Sequence, residues 1–244
     1  MLGNAPPLVN VRRALLDAGR RALRLVLPSV CLLCGAAGVE DLDLCPGCAA
    51  DLPRNRDACP GCAQPDAHGL CPRCQDQPLP FARAFVPFRY RPPLDFLVRR
   101  LKFASQLGPV RPLGVLFTEA LAMRGGPLPD GIVPVPLHPL RLRERGFNQA
   151  LELASIAARR FDLPVWHDGL HRIRYTTAQA RLDAARRVTN PLGAFAAGRS
   201  LAGQRLVLFD DVVTTASTAA ECARVLRAAG AIDVELWAIA RAAF

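Results

Sequence analysis

Residues 205–218 read RLVLFDDVVTTAST, and this stretch decides the fold of the larger part of the chain. An apolar strand at 206–209 is followed by two adjacent acids and then by four hydroxyl side chains that open a helix. Paired carboxylates at a strand end can bind vicinal hydroxyls or lie in the outer shell of a magnesium ion, and N–H groups at a helix start bind phosphate. The ordinary alternative is an acidic turn with a Ser/Thr N-cap, but a cap needs one hydroxyl. We therefore expect Asp210 and Asp211 to bind a ribose and Thr214, Thr215, Ala216, Ser217 and Thr218 to bind its 5-phosphate.

Apolar strands and helices alternate around this stretch. Strands are predicted at 131–135, 205–209 and 232–239, and helices at 148–160 and 216–229. This alternation is typical of an α/β domain with a parallel sheet and flanking helices. Ligands of such sheets bind at the carboxyl ends of the strands, where loops lead into helices.

Eight of the nine cysteines form four CxxC pairs between residues 31 and 74. Two such pairs supply the four sulfur ligands of tetrahedral zinc, so four pairs predict two structural zinc ions. A disulfide framework would require an oxidising compartment, and no export signal precedes the cysteines; a redox-active CxxC would require a surrounding strand–helix pattern. Sequential pairing keeps the loops short and is preferred, while nested pairing stays open. The predicted ligands are Cys31, Cys34, Cys45, Cys48, Cys59, Cys62, Cys71 and Cys74.

The composition changes along the chain and predicts its domains. Residues 1–28 are predicted to contain a docking helix, 29–76 a double zinc ribbon, and 81–244 the α/β domain, with a proline-containing linker between the last two. Binding of the first helix to a membrane surface is the alternative. No apolar run reaches the roughly 20 residues of a membrane helix, so we expect no membrane insertion and a cytoplasmic protein.

The charge of the chain favours phosphate-bearing partners. Lysine and arginine number 31 against 21 acids, a net charge of +10, and Lys102 is the only lysine. Arginine presents a planar fork of donors that matches phosphate. Aromatic residues amount to only 6% and are not interleaved with arginines, which weakens the case for stacking on single-stranded nucleic acid.

Four motifs occur in a defined order. They are the CxxC pairs, LKF at 101–103, IVPVPLHPLRLRERGFNQ at 132–149 followed by a spaced set from Arg172 to Phe195, and VLFDDVVTTAST at 207–218. The last resembles the phosphoribosyl pyrophosphate (PRPP) loop of type I phosphoribosyltransferases, in which glycine is usual where Ala216 stands. The four together resemble the ComF family, whose members are similar to phosphoribosyltransferases and often begin with a zinc domain.

The ComF resemblance has implications for fold, ligand and role. It implies a type I phosphoribosyltransferase-like parallel sheet preceded by a small Cys-rich double zinc ribbon, with PRPP or ribose 5-phosphate and Mg²⁺ as ligands. It also implies a role in DNA uptake during natural transformation, with single-stranded DNA and a DNA-uptake helicase of the ComFA type as partners. The alternative function is an active PRPP-dependent transferase of nucleotide metabolism, for which the sequence assigns no catalytic residue.

Two further groups of residues are candidates for contacts with the ligand. The loop after the strand at 131–135 is expected to clamp pyrophosphate. Lys102 is expected either to join this clamp or to be a solvated helix charge. The arginine-rich stretch 172–190 is expected to form a hood over the ligand, with a solvated helix face as the competing interpretation. The clamp candidates are Leu137, His138, Arg141, Arg143, Arg145 and Lys102, and the hood candidates are Arg172, Arg174, Gln179 and Arg187.

Overall fold

The computed structural model describes residues 29–39, 42–103, 106–175 and 191–242. Contacts between residues divide the chain into two compact units, residues 1–50 and 51–244. The sequence places a domain boundary between residues 76 and 81 instead, so the second half of the Cys-rich region lies in the same unit as the α/β domain. The helix predicted within residues 1–28 falls outside the described residues.

In the first unit the structure describes residues 29–39 and 42–50. A single antiparallel bridge joins Val30 to Ala37, and a short helix, Pro46–Ala50 (α1), follows. The N–H of Cys31 donates to the carbonyl of Ala36 at 2.8 Å, which closes the turn that contains the first CxxC pair. Leu44 and Cys31 are the buried apolar side chains among these residues, so we expect bound metal to stabilise this segment.

The second unit is built on a parallel sheet. The order of its strands is β1-β7-β6-β3, and β2 also pairs with β7. All these pairings are parallel, and a separate antiparallel hairpin joins β4 to β5. The sheet confirms the predicted fold class. The strands are Arg83–Phe85 (β1), Phe88–Arg89 (β2), Gly131–Pro134 (β3), Leu170–Arg172 (β4), Phe195–Ala197 (β5), Arg205–Val213 (β6) and Asp233–Arg241 (β7).

Helices flank the sheet, and β6 and β7 are therefore apolar on both sides, as parallel strands covered by helices require. Phe117 packs edge-on against Phe209 of β6, with ring centroids 5.0 Å apart, and lies 5.8 Å from the ring of Trp237 of β7. Within the described ranges, none of the helices has the length and apolar character needed to cross a bilayer. The helices are Pro72–Asp76 (α2), Leu94–Phe103 (α3), Val110–Arg124 (α4), Pro139–Arg145 (α5), Gln149–Phe161 (α6) and Ser217–Ala228 (α7).

Strand β6 is longer than predicted. The sequence indicates a strand that ends at Phe209, yet β6 continues to Val213, and Val212 and Val213 stay paired with Ala240 and Arg241. The two valines are β-branched and half or fully buried, so they favour extended backbone on the pleated sheet. The two acids consequently lie within the last part of the strand, and the loop begins four residues later than expected.

Candidate functional site

The eight cysteines of the CxxC pairs gather into two groups of four. In each group, one sulfur atom from every cysteine lies within 4.8 Å of the others. The Sγ atoms of Cys34 and Cys45 are 3.7 Å apart, and those of Cys62 and Cys71 are 3.6 Å apart. Tetrahedral zinc with bonds of about 2.3 Å has S–S edges of about 3.8 Å, whereas a disulfide measures about 2.05 Å. The groups, Cys31/Cys34/Cys45/Cys48 and Cys59/Cys62/Cys71/Cys74, therefore fit two structural zinc ions and confirm sequential pairing.

Backbone hydrogen bonds favour the thiolate form of Cys59 in the second group. The N–H of Cys71 donates to the Sγ of Cys59 at 3.3 Å. Burial acts to raise the pKa of the Cys59 thiol, but N–H donors from Cys71, Cys62 and Gly61 outweigh it and lower the pKa to about 7. A thiolate is the form that binds zinc. His68 is exposed and belongs to neither group, so four sulfur atoms complete each site.

Lys102, the only lysine of the chain, contacts the acid doublet, which is Asp210 and Asp211. The Nζ of Lys102, at the end of α3, lies 3.0 Å from the Oδ1 of Asp211, and the lysine side chain is 24% exposed. The N–H of Asp211 donates to Asp210 at 2.8 Å, and the N–H of Val212 donates to Asp211 at 2.7 Å. Lys102 therefore forms an ion pair with Asp211 and is not a solvated helix charge.

The two carboxyl groups interact strongly. Burial, followed by the negative charge of Asp211, raises the pKa of Asp210 from 3.8 to about 7, although Lys102 opposes this shift. Near neutral pH the pair therefore holds a proton for part of the time. A cation or a hydroxyl donor that approached the pair would displace or reorganise that proton.

The loop after β6 is only partly open. The hydroxyls of Thr215 and Ser217 lie 2.7 Å apart and are buried, Thr215 to 3% exposure. Thr214 and Thr218 are partly exposed. Thr215 and Ser217 thus contact each other at the start of the loop. Binding of a phosphate by the four hydroxyls and the backbone N–H groups of this loop stays a prediction.

Ala216 occupies an unusual backbone conformation. It precedes α7 with φ 60° and ψ 6°, and its side chain makes no capping hydrogen bond. The left-handed region costs a non-glycine residue about 1–2 kcal/mol, which explains why glycine is expected here. Ala216 is 4% exposed and belongs to the main core cluster, so its methyl group does not lie on the open side of the loop.

Helix α5 arranges the clamp candidates. His138 is its N-cap, and the Nδ1 atom accepts from the N–H of Leu140 at 3.3 Å. Arg141 and Arg145 share one face of the helix because they are four residues apart, whereas Arg143 is exposed on another face. Burial lowers the pKa of Arg145, and the charge of Asp211 opposes this shift. Arg145 thus lies within electrostatic reach of the acid doublet, while Arg143 does not share its face.

Leu137 borders a cavity of about 510 Å³ next to the clamp. The cavity is formed by the end of β3, the start of α6 and β4, and Phe147, His171 and Arg172 contribute to its wall. Its surface is mainly apolar, with a few polar groups at the β4 side. Such a cavity is large enough for a small planar ligand.

The described part of the hood is the base of a hairpin. Arg172 lies 5.2 Å over the ring of Phe195, and burial lowers its pKa. The N–H of Ile173 donates to Ala194 at 2.9 Å, and Arg174 donates to the carbonyl of Leu192. These bonds join residues 173 and 174 to residues 192 and 194. The candidates Gln179 and Arg187 lie outside the described residues.

Two residues at the site were not predicted from the sequence. Tyr175 is 49% exposed, with its ring 5.1 Å from His138 and 5.5 Å from the guanidinium of Arg141. Rings and arginines that are not interleaved in the sequence therefore do meet in space. Arg241 is 1% exposed and joins Cys62 to the carbonyl of Val213. The signals available in the sequence were the tyrosine in an arginine-rich segment and the arginine at the end of an apolar strand.

Comparison with known proteins places the chain in a family. The double zinc ribbon domain family matches residues 22–76. A DNA utilization protein YhgH of Escherichia coli K12 is 35% identical over 216 residues, which span 87% of this chain and 90% of that protein. Competence protein F of Haemophilus influenzae is 34% identical over 181 residues, which span 70% of this chain and 78% of that protein. The chain belongs to the ComF family. The ComF resemblance in the sequence is thereby confirmed over most of the length.

Solved structures give weaker likenesses to this ComF-family chain. A glutamine PRPP amidotransferase from B. subtilis matches with a TM-score of 0.39 at 19% identity. The match covers 58% of this chain and 30% of the amidotransferase chain. A purine phosphoribosyltransferase from Pyrococcus horikoshii matches with a TM-score of 0.31 at 17% identity. The match covers 53% of this chain and 80% of that protein. The chain thus spans less than a third of the amidotransferase. The fold assignment rests on the strand order and the loop described above.

We expect the purified protein to contain two zinc equivalents per chain, one for each group of four cysteines. Cys48→Ser in the first group and Cys74→Ser in the second should each remove one equivalent, because three thiolates hold zinc less tightly than four. Atomic absorption on the purified variants measures this. Cys222→Ser is the control, since Cys222 lies on α7 apart from both groups, and it should retain both equivalents. Loss of both ions from either single variant would contradict two independent sites.

The carboxyl pair predicts a pH-dependent stability. The raised pKa of Asp210 means that its contribution to stability is present below its unfolded value and is lost as pH rises through about 7. Asp210→Asn should therefore be more stable than wild type by about 1–3 kcal/mol at about pH 8, with the difference shrinking towards about pH 5. Urea unfolding at several pH values measures this. Exposed Asp51→Asn should follow the wild type, and a constant difference for Asp210→Asn would refute the carboxyl interaction.

Proposed function

We propose that this chain binds PRPP or ribose 5-phosphate, together with Mg²⁺, at the carboxyl edge of its sheet, and that it uses this site in the uptake or processing of single-stranded DNA during natural transformation. The observation that carries the proposal is the arrangement on β6. Asp210 and Asp211, with Lys102 at 3.0 Å from the latter, directly precede a loop that leads into α7. One strand therefore presents groups for a sugar and groups for its phosphate.

The two acids have different roles in binding the sugar phosphate. Lys102 holds the Asp211 side chain in place through the contact at 3.0 Å, so Asp211 can accept hydrogen bonds from ribose hydroxyls. Asp210 must lose its proton before it can contact a magnesium ion, directly or through water, because its pKa is raised to about 7. The loop N–H groups at residues 215–218, with the hydroxyls of Thr214 and Thr218, then hold the 5-phosphate.

The clamp and the hood base provide positive charge for a pyrophosphate. Arg141 and Arg145 lie on one face of α5, and Arg172 lies at the hairpin base within electrostatic reach of Asp210. Backbone N–H groups near Leu137 and His138 add neutral donors. Mg²⁺, when bound, would neutralise part of the pyrophosphate charge. Arginine forks suit this ligand because they match phosphate oxygens in pairs.

An active PRPP-dependent transferase is the alternative function. Transfer of a phosphoribosyl group develops positive charge on the sugar carbon, so stabilisation of the leaving pyrophosphate dominates over proton transfer by a side chain. The cavity of about 510 Å³ next to Leu137 favours this alternative, since it offers space for an acceptor close to the clamp. The imidazole of His138 already caps α5, and we assign it no catalytic role.

The role in DNA metabolism rests on relatives and on charge. The similar proteins carry the names DNA utilization protein YhgH and Competence protein F. The net charge of +10 favours a polyanion, and the exposed ring of Tyr175 lies against Arg141 at the rim of the site. A nucleotide unit of a single strand would place its base on that ring. Action in the cytoplasm beside a DNA-uptake helicase of the ComFA type belongs to the same proposal.

Calorimetry with PRPP and Mg²⁺ tests the ligand. Wild type should bind, and Asp211→Asn should weaken binding by about tenfold or more, because the carboxylate that faces the ribose is lost. Binding should strengthen between about pH 6 and about pH 8 as Asp210 loses its proton. Asp233→Asn, at the opposite end of β7, is the control and should bind as wild type does. Absence of both heat and a thermal shift at millimolar PRPP would remove the proposal.

Fluorescence anisotropy with a labelled oligothymidylate tests the nucleic-acid part. Tyr175→Ala should weaken binding by about fivefold to a hundredfold, the effect of one base–aromatic stack of about 1–3 kcal/mol, while Tyr175→Phe should retain it. Affinity should fall with salt, since arginines displace counterions from phosphates. Ribose 5-phosphate binding by both variants serves as the control for the fold. Equal affinities of the two variants, or no salt dependence, would exclude a stacked single strand at this rim.

A further inference from the structure

A buried guanidinium lies between the second group of cysteines and the loop after β6. Arg241 ends β7 and is 1% exposed. Its Nε donates to the carbonyl of Cys62 at 2.9 Å, and one Nη donates to the Oε1 of Gln64 at 3.1 Å. The other Nη donates to the carbonyl of Val213 at 3.3 Å and also to that of Thr214. A buried arginine is expensive unless its donors are satisfied, so these contacts fix its position.

The guanidinium of Arg241 contacts two different segments of the chain, one on each side. On one side are a zinc ligand, Cys62, and a residue two positions beyond it. On the other side are the last residue of β6 and the first residue of the phosphate-binding loop. The guanidinium is planar and rigid, so it cannot follow a displacement on one side while keeping its bonds on the other. The position of Cys62 and the position of the Thr214 carbonyl are therefore linked.

The position of Cys62 in turn depends on metal. The four cysteines of the second group form their own small cluster, and Ala67 and Leu79 are the partly buried apolar residues packed against it. The four sulfur atoms therefore have little apolar packing of their own, and bound metal would be their main mutual link. Hydrogen bonds hold the backbone on both sides of Cys62, because the N–H of Ala84 donates to the carbonyl of Pro60 at 2.9 Å and the amide of Asn55 donates to that of Ala63 at 3.0 Å. Metal adds the Cys62 sulfur to these backbone contacts, so the position of the Cys62 carbonyl depends on both.

We propose that Arg241 is a positioning residue that couples the second zinc site to the phosphate-binding loop. Metal at Cys59, Cys62, Cys71 and Cys74 sets the loop conformation, and a phosphate monoester in the loop slows loss of that metal in return. The second part rests on the proposed function, because it requires that the loop binds phosphate. The first part concerns the protein alone.

Hydrogen exchange of the peptide covering residues 213–219, in the full chain, tests the first part. Arg241→Lys keeps the charge but loses the fork, and Cys74→Ser removes a ligand without touching Cys62. Both should speed exchange of the loop amides by about tenfold. Two controls should leave it unchanged: Cys48→Ser in the first zinc site, and Arg227→Lys, an exposed arginine that donates to the carbonyl of Pro80. Wild-type exchange in both test variants would overturn the coupling. If a test variant fails to fold, a chelator that removes zinc from Cys48→Ser takes its place in the experiment. Faster exchange of the loop amides after zinc removal would then support the coupling, and unchanged exchange would overturn it.

Zinc release tests the second part. Cys48→Ser retains only the second ion, so its release to a chromogenic chelator is a single process. Saturating ribose 5-phosphate should slow this release by about fivefold or more, and Arg241→Lys in the same background should abolish the slowing. Binding of ribose 5-phosphate without any slowing would overturn the reciprocal coupling. Absence of ribose 5-phosphate binding in calorimetry would instead contradict the proposed function, and hydrogen exchange alone would then decide whether metal and loop are linked.

Discussion

The parallel pairing of β6 with β7 through its last position, Val213 opposite Arg241, is the constraint on which the rest of the site depends. It carries the acid doublet to the edge of the sheet and fixes where the loop begins. It also brings Arg241 under the carbonyls of that loop. Had β6 ended at Phe209, as its apolar run indicates, neither the doublet nor the loop would have a defined backbone. The extra length of the central strands is thus what makes the edge a site.

Several unfavourable features are concentrated at this edge. Two adjacent carboxylates share a partly buried position, an alanine adopts a left-handed backbone, and an arginine is buried. Each would destabilise an ordinary fold by the order of 1 kcal/mol or more. Lys102 offsets the first, burial of the Ala216 methyl offsets the second, and the hydrogen bonds of Arg241 to carbonyl and amide oxygens offset the third. Such clustering of compensated strain is typical of binding sites rather than of structural turns.

The sequence predicted local features well and distant contacts poorly. Paired CxxC spacing fixes the ligands of each zinc ion because two ligands lie within one turn, and short loops then favour sequential pairing. The alternation of apolar segments likewise located α6 and α7 within one residue at each end. The bond between Thr215 and Ser217, the ion pair of Lys102 with Asp211 and the stack of Tyr175 with Arg141 depend on how elements pack. No local pattern encodes them, because the partners are set by tertiary geometry.

The contact between Arg241 and Cys62 joins residues 179 positions apart, so the loop after β6 can reach its final conformation only after β7 enters the sheet. Before that step, the second group of cysteines can bind metal from short segments alone, whereas the loop lacks the guanidinium beneath its first carbonyls. Contacts of such high separation form late because they close a long loop of chain. We therefore expect the second group of cysteines to form its local structure first and the sheet to be completed against it.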